Sequence, residues 1–126
     1  MGDYLPKFTE GDAIPFDITA TVTGGRLVTT GGAQAGANAT NWLGVASRDA
    51  VNGDRITLYT GGVQRLIATG AITKGDLVVC AANGTVSTLA AVTTPTAADV
   101  TNTRAIVGLA LADAADTAEV LVKLDR

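Results

Sequence analysis

The sequence predicts an all-β protein, a compact closed barrel or a sandwich of short strands. Three observations predict it. Glycine occurs 15 times beside abundant Thr and Val, while Leu, Glu and Lys are too sparse for long surface helices. Roughly nine short apolar or alternating segments are separated by turn residues. Paired turn formers, Gly24-Gly25, Gly61-Gly62 and Asn83-Gly84, fall between such segments at hairpin spacing.

The 126 residues suffice for one domain with a real core. Residues 1–17, "MGDYLPKFTEGDAIPFD", hold two of the three prolines and both phenylalanines. Proline lacks the amide hydrogen that a central strand needs, so this segment reads as an extended N-terminal arm or an edge strand. Residues 18–126 then form the β domain. In the arm, Tyr4, Leu5, Phe8 and Phe16 would be awkward exposed on a free monomer, which makes the arm a candidate interface.

Beyond the arm, "ITATV" and "RLVTT" flank Gly24-Gly25 and read as a hairpin. Residues 31–41 form a small-residue loop without periodicity. "WLGVAS" and "DRITLYT" flank a turn containing Asp and Asn-Gly. "RITLYT" and "VQRLIAT" meet at Gly61-Gly62, whose glycines can supply the positive φ angles of a two-residue hairpin. "DLVVCAA" and "TVSTLA" meet at Asn83-Gly84, a second strong hairpin signal. Residues 90–103 read as a Thr/Ala loop broken by Pro95, and "RAIVGLALA" and "AEVLVKLD" close the fold. In the last segment Val120, Val122 and Leu124 share one face. Leu121 interrupts the polar opposite face, so that side is expected to be partly covered too.

The chain also spells one pattern twice. "LGVASRDAVNGDRITLY" (43–59) returns 64 positions later as "VGLALADAADTAEVLVK" (107–123), with Gly44, Ala46, Asp49 and Ala50 matching Gly108, Ala110, Asp113 and Ala114. The Gly-containing entries "GGRLVTT" and "KGDLVVC" precede the two copies. A duplicated β unit with one apolar face cannot bury that face alone, whereas two packed together can.

Little of the chain can do chemistry. With no histidine the commonest general base and metal ligand are gone, and one cysteine excludes zinc and iron–sulfur sites. Cys80 in "DLVVCAA" reads as a buried reduced thiol. Asp113 and Asp116 could be a carboxylate pair, but their setting is a turn, where Asp bonds backbone. Asp49, Asn52 and Asp54 mimic the start of a calcium loop without its downstream Glu. The 31–36 stretch lacks the Lys-Ser/Thr of a phosphate loop, and Lys74, beside Gly75-Asp76, reads as a solvated turn residue rather than a Schiff-base lysine. No catalytic residue, cofactor or metal is assigned; an enzyme is not expected.

Twelve acids against nine bases, with no basic run, argue against nucleic acid. No apolar run approaches ~18 residues, and neither a myristoylation signal nor a secretory leader is evident, so no membrane partner is expected and the site of synthesis reads as a cytosol. Trp42 carries two readings, an interface anchor or a core plug beneath the 31–41 loop.

The order "EGDAIPFDITATVTGGRLV…LGVASRDAVNGDRITLYTGGVQRLIATGAITKGDLVV…NGTVS…IVGLALADAADTAEVLVKLDR" resembles the capsid decoration, or cement, proteins of tailed bacteriophages. The resemblance rests on Gly11-Asp12-Ala13-Ile14, on residues 43–46, and on 62–66 following 54–56. Residues 72–78, 83–86, 107–110 and 121–124 complete it. The long arm before Gly11 and the enlarged loops at 31–41 and 90–103 depart from the pattern. The resemblance implies a compact β-barrel or β-tulip-like virion protein, commonly a homotrimer, made in the bacterial host. It would sit on the outer capsid surface at threefold positions between capsomers, bind the major capsid protein and stabilise the expanded head. Tyr4, Leu5, Phe8, Ile14, Phe16 and Trp42 are then the candidates for capsid or subunit contact. The competing readings are another virion β-module, such as a head-fibre or tail domain, and a carbohydrate-binding β-sandwich, which the shortage of aromatics outside the arm disfavours.

Overall fold

The computed structural model describes residues 13–91 and 94–124. Nine strands are defined among them: β1 (Ala13–Asp17), β2 (Leu27–Thr29), β3 (Trp42–Ala46), β4 (Arg55–Tyr59), β5 (Val63–Ile67), β6 (Leu77–Cys80), β7 (Val86–Thr88), β8 (Ile106–Ala110) and β9 (Glu119–Leu124). One short helix, α1 (Ala97–Asn102), lies between β7 and β8. The strands form two sheets, ordered β1-β4-β3-β2 and β5-β9-β8-β6-β7, and every strand pair is antiparallel. The all-β expectation holds, but the closed barrel does not. Each sheet keeps two edges, and no ladder joins its first strand to its last.

Burial follows the pleat. In β9, Val120, Val122 and Leu124 are buried while Glu119, Leu121 and Lys123 are exposed, and in β4 Ile56 and Leu58 alternate with exposed neighbours. Two apolar clusters result. Ile18, Val22, Val28, Ala46, Ala50, Ile56 and Leu58 close one face of the first sheet, with Ile14, Phe16 and Leu43 packed at its margin. The larger cluster joins Leu27, Ala35, Trp42 and Val45 to Leu66, Val78, Val107, Val120, Val122 and their neighbours in the second half of the chain. A bulge between Val28 and Thr29 shifts the register against β3. The shift breaks strict alternation, so Trp42 and Val45 both enter the larger core while Leu43 packs on the smaller one.

The repeated sequence is a repeated structure. Ala13↔Tyr59 through Asp17↔Arg55 in β1–β4 is matched by Val63↔Lys123 through Ile67↔Glu119 in β5–β9. Leu27↔Val45 and Val28↔Gly44 in β2–β3 are matched by Leu77↔Leu109 and Val78↔Gly108 in β6–β8, and each pair carries its bulge at the same step. The bridges Val22↔Ala50 and Ile72↔Ala114 also correspond. In both units the middle strand carries glycine because the next strand's backbone comes too close. A Cβ on Gly44 would lie 2.7 Å from the Tyr59 carbonyl oxygen, and one on Gly108 would fall on that of Lys123.

Three local expectations change. Gly61-Gly62 does not close a hairpin: β4 already has β1 on one side and β3 on the other, so β5 has no free edge there and pairs with β9 in the other sheet. The glycine pair is the passage between the two units. "ITATV" is not a strand either; Ile18 and Val22 are both buried and the second bridges Ala50 instead of returning on "RLVTT". Residues 90–103 are not all loop, since α1 starts at a capping box in which Thr96 and Asp99 each bond the other's backbone N–H. The Asn83-Gly84 hairpin forms as expected, with β6 and β7 paired around a 3₁₀ turn, Ala82–Gly84.

Candidate functional site

The carboxylates that invite a catalytic reading are occupied as turn staples. Asp49 Oδ1 accepts from the Gly24 N–H at 2.8 Å, and its repeat counterpart Asp113 Oδ1 accepts from the Lys74 N–H at 2.7 Å. Asp116 Oδ1 accepts from Gly70 N–H at 2.8 Å, and Asp54 Oδ2 from Val51 N–H at 3.0 Å. Asp49, Asp113 and Asp116 thus each anchor one loop of their unit to another, whereas Asp54 staples its own turn. Among the described residues no three His, Cys, Asp or Glu side chains converge to hold a metal ion. Among the described residues no buried side-chain polar atom lacks a partner. A shallow cleft lies beside α1, lined by Asn38, Val79, Ser87, Thr88 and Asp99 among others, and holds no basic or nucleophilic thiol group.

The seam between the two units is closely fitted. The Arg26 guanidinium donates to the Asn83 carbonyl at 2.9 Å, Asn38 N–H to the Cys80 carbonyl at 2.9 Å, and Gly84 N–H to the Ala35 carbonyl at 2.7 Å. Trp42 sits in the same seam, 2% exposed, with Nε1 donating to the Ile106 carbonyl at 3.1 Å. It plugs the core of its own chain. Thr85, buried among apolar residues, bonds the Ala82 carbonyl and the Thr69 hydroxyl, each at 2.6 Å.

The remaining interface candidates gather at the start of the chain. Tyr4, Leu5 and Phe8 lie outside the described residues. Ile14 and Phe16 are half-buried on β1, against the smaller cluster, with exposed Pro15 between them. β1 is an edge strand, and an exposed ion pair, Arg55 Nη1 to Asp17 Oδ1 at 2.8 Å, ties its end to β4. At 60% and 74% side-chain exposure that pair contributes little. A prolyl residue on such an edge weakens its use as a template for indiscriminate pairing.

A family model for phage cement proteins matches residues 8–124. The chain belongs to the phage cement protein family. The match takes in both units and the passage between them, so membership describes the whole duplicated fold. As a cement-family chain it is a capsid-associated structural protein of the virion. Among solved structures, the crystal structure of the head fiber gp8.5 N base of bacteriophage phi29 is similar, with a TM-score of 0.63 at 19% identity over 90% of this chain and 93% of that one. At that identity the likeness concerns the fold. No curated protein matches significantly.

Sequence reasoning missed one surface. On the outer face of the second sheet Val63, Leu77, Leu109 and Leu121 are left between 39% and 50% exposed. The signal was present in Leu121, which interrupts a polar face, but its companions lie on strands whose pairing is not local.

Proposed function

We propose that this cement-family chain is a capsid decoration protein that binds the outer surface of the phage head between capsomers and stabilises the expanded shell without catalysing a reaction. The observation that carries the reading is the family match across residues 8–124. The major capsid protein is its partner, and the working form is a homotrimer at threefold positions. The arm, residues 1–17, docks on the capsid protein or crosses to a neighbouring subunit. The residues ahead of β1 add their backbone to an exposed strand edge while Tyr4, Leu5 and Phe8 fill apolar pockets, and Ile14 and Phe16, on β1 against the smaller cluster, anchor the segment to the domain. Trp42 supports the site from within, by fixing the seam of the domain that carries the arm.

Each such side chain yields roughly 1.5–3 kcal/mol on burial, before the cost of ordering the segment. Copies held together on one particle multiply a modest single contact through avidity. Deletion of residues 2–10 is the test. Binding to expanded heads should weaken by at least about tenfold, while the domain's melting temperature stays near that of the full chain. Undiminished coating by the truncated protein would overturn the role of the arm.

The likeness to the head fiber gp8.5 N base supports a second reading, a base module of a head fibre. Copy number separates the two: a decoration protein is present in hundreds per particle, a module of a few fibres in a handful.

A further inference from the structure

The outer face of the second sheet carries apolar side chains with nothing over them among the described residues. Across the strands runs the row Val63–Lys123–Leu109–Leu77, and Leu121 lies opposite Arg65 in the next row. Val63, Leu77, Leu109 and Leu121 are all exposed, where a terminal unit of a stacked pair ordinarily turns a polar face outward. The charges on this face are unbalanced. Exposed Arg65 and Lys123 stand against exposed Glu119, and neither cation is paired with a described carboxylate. An occupant that fits must therefore bring apolar side chains and carboxylates together.

We infer that in the free chain this face is the resting place of residues 1–12 of the same molecule, the segment ahead of β1. Its chemistry fits. Tyr4, Leu5 and Phe8 supply the apolar side chains, and Asp3, Glu10 and Asp12 outnumber Lys7, so an acidic segment meets a basic face. Its position fits as well. The segment enters β1 at Ala13, which pairs with Tyr59, and the short link from Tyr59 to Val63 spans at most about 14 Å. Crossing from β5 over β9 and β8 to β6 takes about 14 Å more. Residues 1–12 reach about 40 Å when extended, enough to lie across the whole row. On one chain the segment meets the face at a high effective concentration, so a modest contact holds it. The inference goes beyond the proposed function, which gives the arm its partner on the head. It rests on that reading only for the later step, in which the arm leaves this face for the capsid protein. Until then the apolar side chains of arm and face shield each other from water and from wrong partners.

The test is paramagnetic relaxation in the full, isotopically enriched chain, with Gly2→Cys carrying a nitroxide; Cys80 is buried and stays unmodified. The amide signals of Leu77, Leu109 and Leu121 should lose at least about half their intensity, as for an arm docked in most molecules. The signal of Val51, in the turn before β4 and so at the end away from Tyr59, should keep its own. Leu109→Glu and, independently, Lys123→Glu should restore the signals of Leu77 and Leu121, because each sets a further carboxylate beneath an acidic segment. Both sites are exposed, and circular dichroism verifies the fold of each variant. Face signals that stay sharp in the parent chain overturn the inference, as do signals that stay attenuated in both folded variants. Equal attenuation in a mixture of spin-labelled, unenriched chain with unlabelled, enriched chain would give the face to another molecule's arm and overturn it too. The proposed function fails separately. Deletion of residues 2–10 that leaves head binding intact removes the arm's role on the shell but not this contact, whereas sharp face signals in a chain whose head binding needs the arm remove this contact alone.

Discussion

Gly84→Ala tests the seam on which the duplicated fold depends. Gly84 has φ +70°, in the left-handed region, and a Cβ added there would lie 2.8 Å from Arg26 Cβ, 2.9 Å from Gln34 Cγ and 2.9 Å from the Leu27 carbonyl oxygen. All three belong to the first unit. The conformation costs an alanine about 1–2 kcal/mol, less roughly 0.4–1 kcal/mol gained because the unfolded chain loses freedom. Pushing β2 away to relieve three contacts below van der Waals distance adds about 1–3 kcal/mol. The sum is about 3 kcal/mol, or a fall in melting temperature of roughly 10–15 °C for a domain of this size. Gly25→Ala is the control: φ is +80°, but nothing lies within 4 Å of the added atom, so strain alone should cost about 1 kcal/mol. Thermal melts followed by circular dichroism give both values. If Gly84→Ala melts no lower than Gly25→Ala, the two units do not meet as closely as the structure has them.

Other outcomes follow from the same geometry. Gly108→Ala places a methyl on the Lys123 carbonyl and should break the β8–β9 ladder, giving insoluble protein or a loss of more than about 4 kcal/mol in urea unfolding. Thr117 has φ +66° where the first unit has Gly53, φ +94°, so Thr117→Gly should stabilise by about 0.5–1 kcal/mol, read as a higher urea midpoint. Thr94 is exposed beside α1; if the 90–103 segment faces away from the capsid, Thr94→Cys should label with maleimide on intact particles as readily as in free protein. Protection on particles alone would turn that loop toward the shell.

The features legible in the sequence are those whose partners are near in the chain or whose alternation is strict. β9 reads directly from Val120, Val122 and Leu124, the β6–β7 hairpin from Asn83-Gly84, and the duplication from Gly44 and Gly108 with their following Asp turns. Gly61-Gly62 misleads because a two-glycine link permits a hairpin but does not require one. Whether β5 can pair with β4 depends on β1, which takes that edge from far upstream, pairing Ala13 with Tyr59 and Asp17 with Arg55. α1 is hidden by Pro95 and β-branched neighbours, although Thr96 and Asp99 spell its capping box. The exposed row on the second sheet was legible at Leu121 alone, because grouping Val63, Leu77 and Leu109 requires the register of four strands. Trp42 could be either anchor or plug by sequence; the Ile106 carbonyl that receives its indole N–H is 64 residues away.

If the chain works by clamping the shell, phage heads lacking it should lose their DNA more readily on heating. Heads filled with DNA, with and without the purified chain restored, are heated while DNA release is followed by dye fluorescence. Bare heads should release DNA at a distinctly lower temperature, with full recovery when the chain is added back. Identical release curves for bare and coated heads would contradict it.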